Sequence, residues 1–223
     1  MYIDIILIIA IIAVPLIAQL YIKSTYSKYS EIDNTKNISG FEVARKILDA
    51  NNLNSIDIVT TSGTLSDHYD PRRKVVRLST EVFNGNSVAS MAVAAHECGH
   101  AIQDKEAYGL LRIRSLLVPV VNIGTSISYY IILIGFIFQI LNLVYVGIAL
   151  TALGLLFQLV TLPVEINASK RAGIQIRELG IAGIDDQSGT KSVLTAAAMT
   201  YLAGVIASVL QVLRLILIFT RRD

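Results

Sequence analysis

Uncharged apolar runs constrain this chain before anything else does. Residues 5–22 and 116–164 contain no Asp, Glu, Lys or Arg, and residues 193–219 contain only Arg214. A membrane-crossing helix needs about 20 such residues. The first run is then one span. The second is two spans with a tight turn near residues 139–142, and the third is one span. In lipid every backbone N–H and C=O must be paired within the chain, which leaves helices or closed barrels. Runs of this length predict helices, so the expected class is a mainly α membrane protein with about four transmembrane helices. A composition of 53% hydrophobic and 16% charged residues agrees. The first run reads as an uncleaved anchor, since only Asp4 precedes it and no small-x-small cleavage site follows. A net charge of +2 gives no ground for a nucleic-acid partner, and the single Cys98 excludes an internal disulfide.

Lysines and arginines set the orientation. They crowd between the first and second spans (Lys23, Lys28, Arg45, Arg72, Arg73, Lys74 among them) and again between the third and fourth (Lys170, Arg171, Arg177, Lys191). Both segments are expected on the cytoplasmic side, with Arg221 and Arg222 on the other side against the rule. The expected layout is an anchor at 1–22, a cytoplasmic segment at 23–115, a transmembrane hairpin at 116–163, a cytoplasmic helix at 164–192 and a last transmembrane helix at 193–223. Inside the first cytoplasmic segment, Ser39-Gly40-Phe41-Glu42 reads as a capping box opening an amphipathic helix that ends at Asn51-Asn52. Residues 56–61 and 74–79 read as short strands around the turn-rich stretch 63–71. Ser87 is placed to cap a helix over 88–106 whose first turns are apolar but too short to cross a bilayer. Those turns should be buried against protein.

That helix carries His96-Glu97-Cys98-Gly99-His100. Positions four apart share a helix face, so both imidazoles can reach one tetrahedral zinc. Glu97 is then placed to take a proton from a water at the site. The chain has only three His, which makes this spacing around a Glu hard to ascribe to chance. Cys98 falls on the opposite side of the helix and reads as a small buried residue. A catalytic zinc has three protein ligands, and the third must come from elsewhere: Glu106 stands where a metzincin has its third His. Glu165 is the best-placed carboxylate. Two spans separate it from His100, which returns it to the same side, and Ala168 and Ala172 after it allow close packing on the motif helix. Glu178, Asp185 and Asp186 are rivals, and a helix-start carboxylate is the plain alternative. His68 reads either as a loop residue held by Asp67 or Asp70, or as a group binding substrate or the oxyanion. Arg171 reads as an oxyanion or water-orienting group, or as a surface charge.

The HExxH stretch with its Ala-rich approach, Leu162-Pro163-Val164-Glu165-Ile166-Asn167-Ala168-Ser169, Asp67-His68-Tyr69-Asp70-Pro71 and Ala196-Ala197-Ala198-Met199-Thr200-Tyr201 together resemble the bacterial YugP-like membrane metallopeptidases, over nearly the whole chain. The resemblance implies a small α+β zincin-like cytoplasmic domain with a short β-hairpin and the HExxH helix. It also implies one zinc per chain, a gluzincin-type endopeptidase, and a multi-pass protein of the bacterial plasma membrane acting on proteins or peptides, membrane proteins among them. More distantly similar families, HtpX and the CAAX proteases, supply the third ligand as a Glu with an Asp four residues later bracing a zinc-binding His. Glu165 maps onto the Glu, and Ser169 stands at the bracing position. A substrate strand pairing with one of the two predicted strands is expected. The alternative is a non-enzymatic membrane scaffold with a structural zinc, against which stand the missing Cys ligands and an otherwise idle Glu97.

Overall fold

The computed structural model describes residues 2–220. In chain order these form α1 (Tyr2–Ser30), α2 (Gly40–Ala50), β1 (Asp57–Thr61), β2 (His68–Asp70), β3 (Val75–Ser79), α3 (Thr80–Asn84), α4 (Val88–Lys105), α5 (Gly109–Ile137), α6 (Leu141–Glu178) and α7 (Ile184–Thr220). Four of them, α1, α5, α6 and α7, are long and apolar enough to cross a membrane. The protein is mainly α and membrane-like. Arg221 and Arg222, on which the expected placement of the C-terminus turned, lie outside the described residues.

The chain divides into two compact units. The first comprises Met1–Gln19, Gly109–Pro163 and Thr200–Asp223. Its helices turn large apolar side chains outward: Ile6, Ile9, Leu116, Ile123, Tyr129 and Ile137 are each more than half exposed. In water that surface would be a liability; against lipid tails it is solvated. The turn between α5 and α6 falls at residues 138–140, with Gln139 in the left-handed region at φ 56°.

The second unit comprises Leu20–Tyr108 and Val164–Met199. Its helix α2 starts where the sequence predicts. Ser39 Oγ accepts from the Glu42 N–H, and the Glu42 carboxylate accepts from the Ser39 N–H at 2.7 Å. One face of α2 then buries Val43, Ala44, Ile47 and Leu48 completely, worth about 1.5–3 kcal/mol for each of the three larger side chains. The sheet has the order β1-β3-β2. The two sequence-predicted strands pair in parallel, with Asp57 opposite Val75. The hairpin is formed instead by β2 and β3, with His68 opposite Arg77. Strand β3 is thus central, with both edges occupied, and cannot receive a substrate strand; β1 and β2 hold the open edges.

Helix α4 is capped by Ser87, whose Oγ accepts from the Ser90 N–H at 3.0 Å. It is buried nearly all round, including Ala89, Met91, Ala92, Ala94 and Ala95. Its neighbour is the second half of α6. The sequence suggests a new helix near Pro163, but α6 runs through that proline unbroken, so Glu165 lies in a helix interior rather than at a start. Proline deprives one turn of a hydrogen bond without forcing an end, and membrane helices accommodate it. The break comes later, at Gly180, whose φ of +56° is the left-handed conformation that closes many helices. Helix α7 restarts at Ile184, earlier than the apolar run alone suggests.

Close approach of α4 and α6 depends on Gly99. A Cβ built there would stand 2.4 Å from the Ala168 carbonyl oxygen, a backbone atom with no flexible end to yield. Gly99→Ala is expected to destabilise the protein by about 1–3 kcal/mol, read as a lowered thermal midpoint in detergent. An unchanged midpoint would show that the two helices can separate at no cost.

Candidate metal centre

Two helical turns of α4 and one position of α6 meet at a buried point. His96 and His100 stand with ring centroids 4.9 Å apart and planes at 86°. Glu165 Oε2 lies 3.2 Å from His96 Nε2 and 3.4 Å from His100 Nε2. The candidate ligand atoms of His96, His100 and Glu165 all fall within 4.8 Å of one another. A tetrahedral zinc with bonds of ~2.0–2.1 Å would separate its ligand atoms by ~3.3–3.4 Å. The donor set therefore fits that ion in chemistry, and both distances from Glu165 match its spacing. The Glu165 carboxyl is 1% exposed. Burial pushes its pKa up, but hydrogen bonds and charge interactions with His100 and His96 outweigh burial and hold it well below the usual carboxylate range.

The outer ring nitrogens are occupied, and one of them fixes a tautomer. Gln103 is fully buried. Its Nε2 donates to the Val164 carbonyl at 2.8 Å and to Asn167 Oδ1 at 2.9 Å. A carbonyl can only accept, so the amide orientation is settled and Gln103 Oε1 faces His100 Nδ1 at 3.0 Å. His100 therefore carries a proton on Nδ1, which leaves Nε2, the nitrogen facing Glu165, as the one a metal would take. Ser169 Oγ lies 3.2 Å from His96 Nδ1, within hydrogen-bond reach of the corresponding nitrogen of the other ring. Ser169→Ala is expected to weaken zinc binding by about 10-fold, measured by competition with a chromophoric chelator. An unaltered affinity would mean that Ser169 does not orient His96.

Glu97 is 7% exposed and is not one of the three converging groups. Burial pushes its pKa up to about 7. The charge of His96 opposes that rise, those of Glu165 and Asp67 add to it, and the Tyr69 backbone N–H lowers it. Strand β2 thus runs beside the motif helix. It is tied to the end of α4 by Tyr69 Oη, which donates to Asp104 Oδ2 at 2.7 Å, while Lys74 pairs with the same oxygen. Cys98 points the other way, its Sγ 3.6 Å from the Ala44 carbonyl, and burial raises its thiol pKa.

The remaining sequence candidates sit as follows. His68 is exposed on β2, with Nδ1 2.8 Å from the Ser66 carbonyl. Asp67 Oδ1 accepts from the Ser79 N–H at 2.7 Å, and Asp70 Oδ1 accepts from the Arg72 and Arg73 N–H groups; among the described residues neither is hydrogen-bonded to His68, whose charge nevertheless acts on Asp67. Arg171 donates to Asn167 Oδ1 at 2.7 Å and pairs with Glu106 at 2.7 Å. It joins α6 to the end of α4 through Glu106, and it shares with Gln103 the Asn167 oxygen. Gln103 and Asn167 were invisible as site residues in the sequence. The one available signal was a Gln three residues after His100, on the same face of an otherwise apolar helix.

The family described as "Putative neutral zinc metallopeptidase" matches residues 4–220. A protein of Bacillus subtilis (strain 168), described as "Putative membrane protease YugP", is 43% identical over 202 residues, covering 91% of this chain and 90% of its own. No solved structure matches the chain. With a match that runs from residue 4 to residue 220, the chain belongs to the "Putative neutral zinc metallopeptidase" family.

Proposed function

We propose that the protein is a zinc-dependent endopeptidase of the membrane, with His96, His100 and Glu165 as its metal ligands and Glu97 as its general base. The observation that carries this reading is the convergence of three ligand atoms from α4 and α6 with Glu97 one residue from the first of them. Zinc bound there supplies a Lewis acid that acidifies a water and polarises a peptide carbonyl. Gln103 and Ser169 hold the two imidazoles in register. Glu97, its basicity raised by burial, accepts the proton of the attacking water on its carboxylate and returns it to the leaving amine. The pairing of the HExxH helix with a Glu from a second helix is the gluzincin arrangement.

Residues 23–115 and 164–192 form the peptidase part in this reading, and the remaining segments are its membrane anchor. The Lys and Arg residues of both peptidase segments support a site on the cytoplasmic face. Among the substrate-binding candidates, the edge position of β2 beside Glu97 favours His68 over Arg171, whose guanidinium is engaged by Glu106 and Asn167.

The test uses the full chain purified in detergent. About one zinc per chain and cleavage of casein, lost on chelation and restored by zinc, are expected. Chelation that unfolds the protein, with no proteolysis before or after, would instead make the zinc structural and the protein a scaffold.

A further inference from the structure

A cavity of about 780 Å³ lies between the parts of α6 and α7 that belong to the second unit. Its walls are apolar at Ile166, Ile174 and Leu194, and its rim carries Lys170, Arg177 and Lys191. No Asp or Glu lines it. Among the described residues none of these three cations makes an ion pair, and all three are exposed. Three like charges around one apolar hollow repel one another unless an anion joins them.

We propose that this cavity binds an anionic phospholipid, its phosphate held by Lys170, Arg177 and Lys191 and an acyl chain lying on Ile166, Ile174 and Leu194. The lining is amphiphilic, and so is that ligand. A free phosphate would use the cations and leave the apolar walls wet. A peptide bound by strand addition needs a backbone edge to pair with, and both walls are helices whose backbone groups are paired internally. The apolar end of the cavity also lies where lipid is at hand. Ile166 comes two residues after Val164, the end of one uncharged run, and Leu194 and Ala198, also in the lining, lie within the other. Basic pockets between membrane helices are a recurring answer to anionic head groups. The lipid would also sit against Ser169, which both lines the cavity and contacts His96.

The experiment is native mass spectrometry of the full chain, delipidated in detergent and titrated with phosphatidylglycerol or phosphatidylcholine. Retention of phosphatidylglycerol at least about tenfold above phosphatidylcholine is expected, and the triple variant Lys170→Gln, Arg177→Gln, Lys191→Gln should lose that preference. Zinc content and thermal midpoint report that the variant is folded. Should it fail to fold, Lys191→Gln alone is expected to lower retention about threefold. Equal retention of the two lipids by the wild type, or undiminished retention by the folded variants, would overturn the proposal. So would displacement of the lipid by inorganic phosphate at equal concentration, which would reduce the cavity to a phosphate site. Variant-sensitive binding of an acid-rich apolar peptide in lipid-free micelles would make it a peptide groove instead. Every readout is a binding measurement, so the outcome stands whether or not the protein cleaves casein.

Discussion

Glu97→Gln is expected to lower casein cleavage by about 10²–10⁴-fold while zinc content stays at the wild-type level. The side chain is not among the three groups that converge on the metal position, so the ion should remain. The amide matches the carboxylate in shape but cannot accept a proton. Its effect on stability runs the other way. Burial and the neighbouring charges of Glu165 and Asp67 raise the Glu97 pKa to about 7. A carboxyl raised by folding destabilises the native state at pH values above its unfolded pKa, where the unfolded chain ionises it freely. The neutral amide removes that penalty, so at pH 8 the thermal midpoint of the variant should equal or exceed that of the wild type. Cleavage undiminished in the variant would remove Glu97 from the mechanism, and a lost zinc would make it a ligand.

Gln103→Leu should be the most damaging change outside the four proposed catalytic and ligand residues. Leucine fills similar space but pairs with nothing. His100 Nδ1 would lose its partner in a buried setting, at a cost of about 1–3 kcal/mol, and the Val164 carbonyl would lose the hydrogen bond it accepts from outside its own helix. His100 would also be free to turn or to change tautomer. Zinc affinity is expected to fall by about 10–100-fold, measured by chelator competition, together with a lower unfolding midpoint. Gln103→Glu should not rescue it, because a carboxylate would face two acceptors, Val164 O and Asn167 Oδ1. Unchanged zinc affinity in Gln103→Leu would confine Gln103 to a packing role.

What could be read from the sequence was local in origin. Uncharged runs of the length of a bilayer announce spanning helices whatever surrounds them. The i, i+4 imidazoles are neighbours on any helix, and the Ser39–Glu42 box needs only four residues. Small side chains at Ala168 and Ala172 announced close packing, and both are fully buried in the structure. What could not be read depends on partners distant in sequence. The parallel pairing of β1 with β3 and the three-residue β2 are properties of a sheet rather than of any stretch. Pro163 looks like a boundary within its own turn, yet α6 continues through it, since one missing N–H does not end a helix. Gln103 acquires its meaning from a carbonyl and an amide contributed by α6.

The continuity of α6 bears on how the protein is made. His96 and His100 leave the ribosome well before Glu165, with all of α5 and the first half of α6 in between. A nascent chain therefore carries two proposed ligands and the base but no closed site until the α5–α6 hairpin has been synthesised and has turned back. The proteolytic centre in this reading is completed by membrane insertion itself, so an unfinished or uninserted chain holds the parts of a peptidase without being one.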